Sequence, residues 1–195
     1  MGEGWLLAAA LAGVESARGA KSLRLVFGQH HGTGASARRR GTQKNGPAQA
    51  LGRSRGGLTT KIHLAALSEN TASAAQLSPG CESDFEHFPA VYEQACQQVD
   101  PKAIVTDKGF DSNAIRNQIR RDHRRVVIPS RSCRKVNLRY DKKLYRERNR
   151  IERLFNKLKH FRRIATRYEK LAKTFLACVH LALSFLCLRL IANTT

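Results

Sequence analysis

Residues 145–163 read YRERNRIERLFNKLKHFRR, and within them Tyr145, Arg148, Glu152 and Lys159 stand at the spacing Y-x2-R-x3-E-x6-K. On a continuous α-helix, at about 100° per residue from Leu144, these four fall at roughly 100°, 40°, 80° and 60°, within one narrow sector. Ile151, Leu154, Phe155, Leu158 and Phe161 fill an adjacent stripe from roughly 260° through 0° to 20°, the pattern of a helix docked on a core. Glu152 is thus placed at the rim of a packed surface, flanked by cations. Two readings stand for it: a surface ion pair with Arg148 or Arg153, worth little, or a metal-binding acid.

Around this helix the charge is one-sided. The chain has 195 residues, with 35 Lys and Arg against 15 Asp and Glu, a formal charge of +20. Residues 36–61 hold seven cations and no acid, and residues 121–163 hold seventeen. Clustered positive charge of this size attracts a polyanion at long range, which makes nucleic acid the expected partner and leaves a membrane surface as a distant second. The five cysteines lack C-x2-C spacing and the histidines lack ligand spacing. The expectation is therefore reduced thiols, without a zinc site or a disulfide framework.

Upstream, AIVT (103–106) reads as a buried central strand that delivers Asp107 at its carboxyl end, where α/β sheets build their sites. An acid before Gly109 also suits a plain turn. Asp111 or Ser112 is expected to cap a helix over 112–121, and a strand follows at Arg125–Ile128. Further expectations are a weak strand at Ser22–Phe27, a hairpin of Leu58–Leu67 with Ser73–Leu77, and a helix from Asp84 to about Gln98. The signature helix is expected to run unbroken from about Lys142 to Arg163, and a last helix over about 170–191. The apolar run Thr174–Leu188 reads as buried, being too short to span a membrane. WLLAAALAG (5–13) lacks the basic flank of a secretory signal, with Glu3 in its place.

The 145–159 spacing, GRSRGGLTTKIH (52–63) and TDKGFDS (106–112) together, in that chain order, resemble insertion-sequence transposases of the DDE superfamily over roughly Gln29–Arg189. The resemblance implies a partial ribonuclease-H-like α/β fold, with a mixed sheet flanked by helices and a basic catalytic-type helix. Residues 1–20 are set apart as a non-family segment, and 21–195 as the partial core. Within that core, 28–57 form a basic Gly-rich loop, 58–169 carry the motifs and 170–191 form the C-terminal helix. It further implies phosphodiester cleavage and strand transfer of DNA with Mg²⁺ or Mn²⁺, Asp107 and Glu152 as catalytic metal ligands, and Tyr145, Arg148 and Lys159 as phosphate-holding residues. Arg53, Arg55 and Lys61 join them as expected DNA contacts. The implied partners are DNA and a homo-oligomer or intact transposase copy, with no membrane, in the cytoplasm or on a bacterial nucleoid.

One feature departs from the pattern. The family's first acid is expected near Lys21 or Ser22, yet no Asp or Glu occurs from Ser16 to Leu67. This implies a degenerate or truncated copy, impaired in cleavage and repairable by Ser22→Asp. The alternative is a non-enzymatic nucleic-acid-binding protein or an inhibitor of an intact transposase.

Overall fold

The computed structural model describes residues 24–34, 49–54 and 57–193. Its centre is β1 (Arg24–Gly34), followed by β2 (Gly52–Ser54), β3 (Gly57–Ala66) and β4 (Ala72–Pro79). Helix α1 (Asp84–Cys96) leads to β5 (Ala103–Val105), α2 (Asn113–Arg121) and β6 (Arg125–Val127). The rest is α3 (Lys142–Tyr145), α4 (Asn149–Lys159), α5 (Arg162–Ala165), β7 (Thr166–Arg167) and α6 (Ala172–Ala192).

The strands form one mixed sheet in the order β2-β3-β1-β5-β6, with β4 also on β3 and β7 also on β1. β1 runs antiparallel to β3 and parallel to β5, and β5 runs parallel to β6. Successive residues point to opposite sides. Val26, Ala103 and Val105 face a core shared with α4 and α6, whereas Leu25, Phe27 and Ile104 face one shared with α1 and α2. Burial on both sides is why AIV carries no polar alternation. The mixed α/β architecture with flanking helices is the one the sequence implies.

Four expectations about the elements need correction. The strand expected at 22–27 continues through GQHHGTG to Gly34, so the expected 28–57 loop begins in the central strand. Pairing along β3, from Val26 against Ala66 to Thr33 against Thr59, gives these residues' backbone groups partners and overrides their weak strand propensity. β4, eight residues long, pairs with β3 at seven positions and makes a fuller strand than the short hairpin partner expected at 73–77.

The signature helix is broken. Residues 146–148 tighten into a 3-10 turn between α3 and α4, and Phe161 leaves the helix in an extended conformation, its ring edge-on to Phe185 of α6 at 5.9 Å. Finally, α6 is buried on one side only. Phe175, Val179, Ala182, Leu183, Leu186 and Cys187 pack inward, while Leu181, Phe185 and Leu188 are exposed. It is also longer than the apolar run Thr174–Leu188. At 21 residues and a mean hydropathy of 2.2, α6 is long and apolar enough to cross a membrane by composition alone.

Candidate functional site

Asp107 follows β5, half-buried, at the carboxyl end of the central parallel strands. Its carboxylate accepts a hydrogen bond from the Lys108 backbone N–H at 2.6 Å, capping the 3-10 turn Lys108–Phe110. The turn-forming role is therefore real. Across from Asp107 stands the α3–α4 segment. Tyr145, packed at the core's margin, has its phenol pKa raised first by burial and then by the negative charges of Asp107 and Glu152, against the lowering effect of Arg148. Both predicted acids thus act on one side chain, although they come from elements far apart in the chain.

Despite the broken helix, three of the four signature residues meet. Arg148 donates to Glu152 at 2.7 Å across one helical turn, and its guanidinium lies 5.9 Å from the centre of the Tyr145 ring. Glu152 keeps about half its side chain exposed, at 49%. Arg153, the other suggested partner, instead bonds Glu69 at 2.9 Å. Lys159 is exposed about two turns, roughly 10 Å, further along α4.

The other expected DNA contacts divide. Arg53 is exposed on β2. Arg55 lies outside the described residues. Lys61 is buried on β3, where its ammonium donates to Asp84 at 2.7 Å and to the Glu82 carbonyl at 2.6 Å. Its place is a structural ion pair between sheet and α1, which corrects the expected phosphate contact: a buried ammonium with two close acceptors does not reach a ligand outside.

Sequence reasoning missed the most heavily bonded acid near the site. Ser112 caps α2, its hydroxyl accepting from the Ile115 N–H at 3.1 Å. Asp111 is not a cap but a hub, with 1% of its side chain exposed. It accepts from Arg116 Nε at 2.7 Å, Arg134 Nε at 2.8 Å, Arg134 Nη2 at 3.0 Å and the Arg131 backbone N–H at 2.9 Å. Burial raises its pKa, but the two guanidinium groups and the Arg131 backbone N–H together outweigh that and hold it far below the ordinary carboxylate value. Arg131 also bonds the carbonyls of Lys108 and Gly109. The basic loop after β6 is thereby strapped onto the turn that begins with Asp107, leaving Lys135 and Arg139 exposed beside it. One signal was present in the sequence: Arg116 interrupts α2 between the apolar Ile115 and Ile119.

The donor set does not fit a pair of divalent cations. Two such ions need several shared oxygen ligands, and Asp107 and Glu152 are two carboxylates, the second already paired with Arg148. Among the described residues, no cluster of three or more His, Cys, Asp or Glu side chains could hold a metal ion. The parallel ladder of β1 and β5 ends at Val26 against Val105; carried two residues beyond β5, it would bring Gly28 level with Asp107. A Cβ placed on Gly28 would meet Ile151 Cγ1 at 2.8 Å, on the helix that carries Glu152. Lys21 and Ser22, where a first acid was expected, lie outside the described residues.

A family model described as the transposase DDE domain matches residues 29–187. The Brucella ovis transposase for insertion sequence element IS6501 is 37% identical over 90 residues, covering 44% of this chain and 67% of the Brucella protein.

Proposed function

The chain belongs to the DDE transposase family, and we propose that it acts as a DNA-holding transposase core impaired in cleavage, because β1 offers Gly28 rather than a carboxylate where its ladder, carried on, would come level with Asp107. Arg148, Lys159, Arg53 and Arg55 bind backbone phosphates, joined by Lys135 and Arg139 on the strapped loop. Tyr145 orients Arg148 through its ring. Phosphate contacts of this kind give affinity without reading sequence. The partner is DNA, in the cytoplasm or on a nucleoid.

In-line phosphoryl transfer in this family runs on divalent metal ions, which activate the attacking oxygen and stabilise the leaving one. Asp107 and Glu152 by themselves hold such ions weakly, so the residues that survive here bind and position DNA.

The test pairs binding with chemistry. Affinity for duplex DNA should fall steeply between low and physiological salt and depend little on sequence. With Mg²⁺ or Mn²⁺ the purified chain should neither nick DNA nor transfer strands. A Gly28→Asp/Ile151→Ala variant, which adds the acid and removes both Ile151 γ-carbons that its Cβ would meet, is expected to gain metal-dependent nicking. Metal-dependent cleavage by the unaltered chain, abolished by Glu152→Gln, would sink this reading.

A further inference from the structure

The basic loop after β6 is tied down on both sides of a short tip. Before the tip, the Arg134 backbone N–H closes a turn on the Arg131 carbonyl at 3.1 Å, and the Arg134 guanidinium bonds Asn113 at 2.9 Å as well as Asp111. After it, the Leu138 N–H donates to the Ser130 hydroxyl at 2.9 Å, and the Tyr140 ring stands edge-on to Tyr145 at 5.4 Å. Between these ties Lys135, Val136 and Asn137 are exposed, and the chain bends at the first two. Val136 is 67% exposed.

Single apolar side chains on a surface are ordinary, and Val136 is set apart by its surroundings. Of the other large apolar side chains exposed among the described residues, all but Phe85 lie on α6 or on the residues leading into it. Val136 stands among cations instead: Lys135 precedes it, Arg139 follows, and residues 129–140 contain no acid. Phosphate offers such a side chain nothing, whereas bases do. The minor groove of DNA, about 6 Å wide, is walled by the phosphates of both strands and floored by base edges that present acceptors. A narrow tip with cations on its flanks suits those walls, and the Asn137 amide is a donor for the floor. An apolar side chain between them has the base stack to enter, and proteins of the minor groove push apolar side chains between base steps and kink the duplex.

We propose that Val136 is a wedge: with Lys135 and Arg139 on phosphates, it enters the minor groove and partly unstacks one base step of the duplex that this core holds. The inference rests on the DNA-binding reading and adds to it that the bound duplex is distorted. Arg131, bonded to the Lys108 and Gly109 carbonyls, fixes the base of the same loop to the turn after Asp107. Val136 stands two residues, at most about 7 Å of chain, past Arg134, which puts the opened step on the Asp107 side of the molecule. The ties at Arg134 and Leu138 keep the tip presented, and branching at Cβ leaves the valine few rotamers to lose on contact.

The experiment uses the full chain and a set of short duplexes that accommodate one copy, each carrying 2-aminopurine at one of a series of successive positions. This base fluoresces more strongly when it is unstacked, and anisotropy on the same duplexes measures affinity. Saturating native chain should raise the fluorescence about twofold or more in at least one duplex, Val136→Ser should abolish the rise, and Val136→Leu should keep or increase it. Neither variant loses a cation, so the salt slope should stay the same, with affinity lower for Val136→Ser by no more than about threefold. A rise that Val136→Ser retains in full places the distortion elsewhere in the chain and overturns the proposal. Salt-dependent binding of the native chain with no rise in any duplex overturns it too, and both results leave the DNA-binding reading standing. A Val136→Ser chain that melts lower than the native one also overturns it, since the valine would then be packed within its own chain. Failure of the DNA-binding reading looks different: the native chain shows no salt-dependent binding at all, and the wedge falls with it.

Discussion

The α1/α2 face of the sheet and the α4/α6 face cover the same strands in different ways. On the first, rings close the core: Phe27 and Phe88 lie 4.9 Å apart, and Tyr92 and Phe110 stand 5.5 Å and 5.8 Å from Phe88. At the edge of this half of the sheet Asp111 is shut away with Arg116, its oxygens accepting from Arg134 and the Arg131 backbone as well. On the second face, Phe155 and Phe175 join the aliphatic side chains of α4 and α6, and Arg167 is buried with its guanidinium 5.1 Å from the centre of the Phe175 ring. Glu152 has one arginine, Arg148, and keeps half its surface in water. The contrast separates two kinds of acid. A carboxylate saturated by buried guanidinium and amide donors holds structure and has no lone pair left for a ligand, whereas a half-exposed one with a single flexible partner can exchange it.

The strongest way to break this contrast is to remove the hub. Asp111→Asn leaves Arg116 buried beside a neutral amide, and losing one partner of a buried ion pair costs about 3–5 kcal/mol. Urea unfolding should show a loss of that order; a change below about 1 kcal/mol would mean that Asp111 is no more structural than Glu152. Acid sharpens the same point. Because the folded Asp111 pKa is depressed, its contribution is fully present above the ordinary carboxylate pKa of about 4 and is lost as pH falls below it. The native chain should therefore lose stability below about pH 4, and Asp111→Asn should flatten that part of the profile.

Smaller effects are expected on the other face. Arg148→Ala/Lys159→Ala should weaken duplex binding more than Arg146→Ala/Arg153→Ala, and should lower the salt slope by about two, one for each phosphate left without its cation. Equal weakening from the two pairs, measured by fluorescence anisotropy, would show that the Glu152 side of α4 holds no privileged place for DNA. Least of all, Glu152→Gln should alter stability by no more than about 1 kcal/mol, as an exposed ion pair one helical turn apart is worth little. It should also raise DNA affinity slightly by removing a negative charge.

Much of this was legible in the sequence because the period of apolar residues reports burial directly. AIVT and the stripe Ile151–Leu154–Phe155–Leu158 became the buried strand and helix face their patterns predicted, whereas the apolar C-terminal run became a helix buried on one side only. Failures came where long-range pairing decides. The segment GQHHGTG has no local reason to be a strand and becomes one because β3 supplies its hydrogen bonds. At the site, Tyr145, Arg148 and Glu152 were found from helical spacing that survives a 3-10 interruption, since Arg148 and Glu152 remain one turn apart. Asp111 was misread as a cap because the arginines that claim it arrive from α2 and from a loop some twenty residues on.

β1 carries a consequence for how the protein is made. Its ladder partners include Ala66 on β3, Ala103 on β5 and Thr166 on β7, so the strand at the middle of the sheet is synthesised well before its neighbours and is completed only when β7 emerges. Contacts so distant in sequence close slowly. Until β5 and β7 follow, a nascent chain on the ribosome carries an open strand edge on the side of β1 away from β3, which is where an unfinished β-protein recruits wrong partners. Translation that pauses before Thr166 is released should therefore favour aggregation, and a chaperone that shields this edge should raise the yield of folded protein.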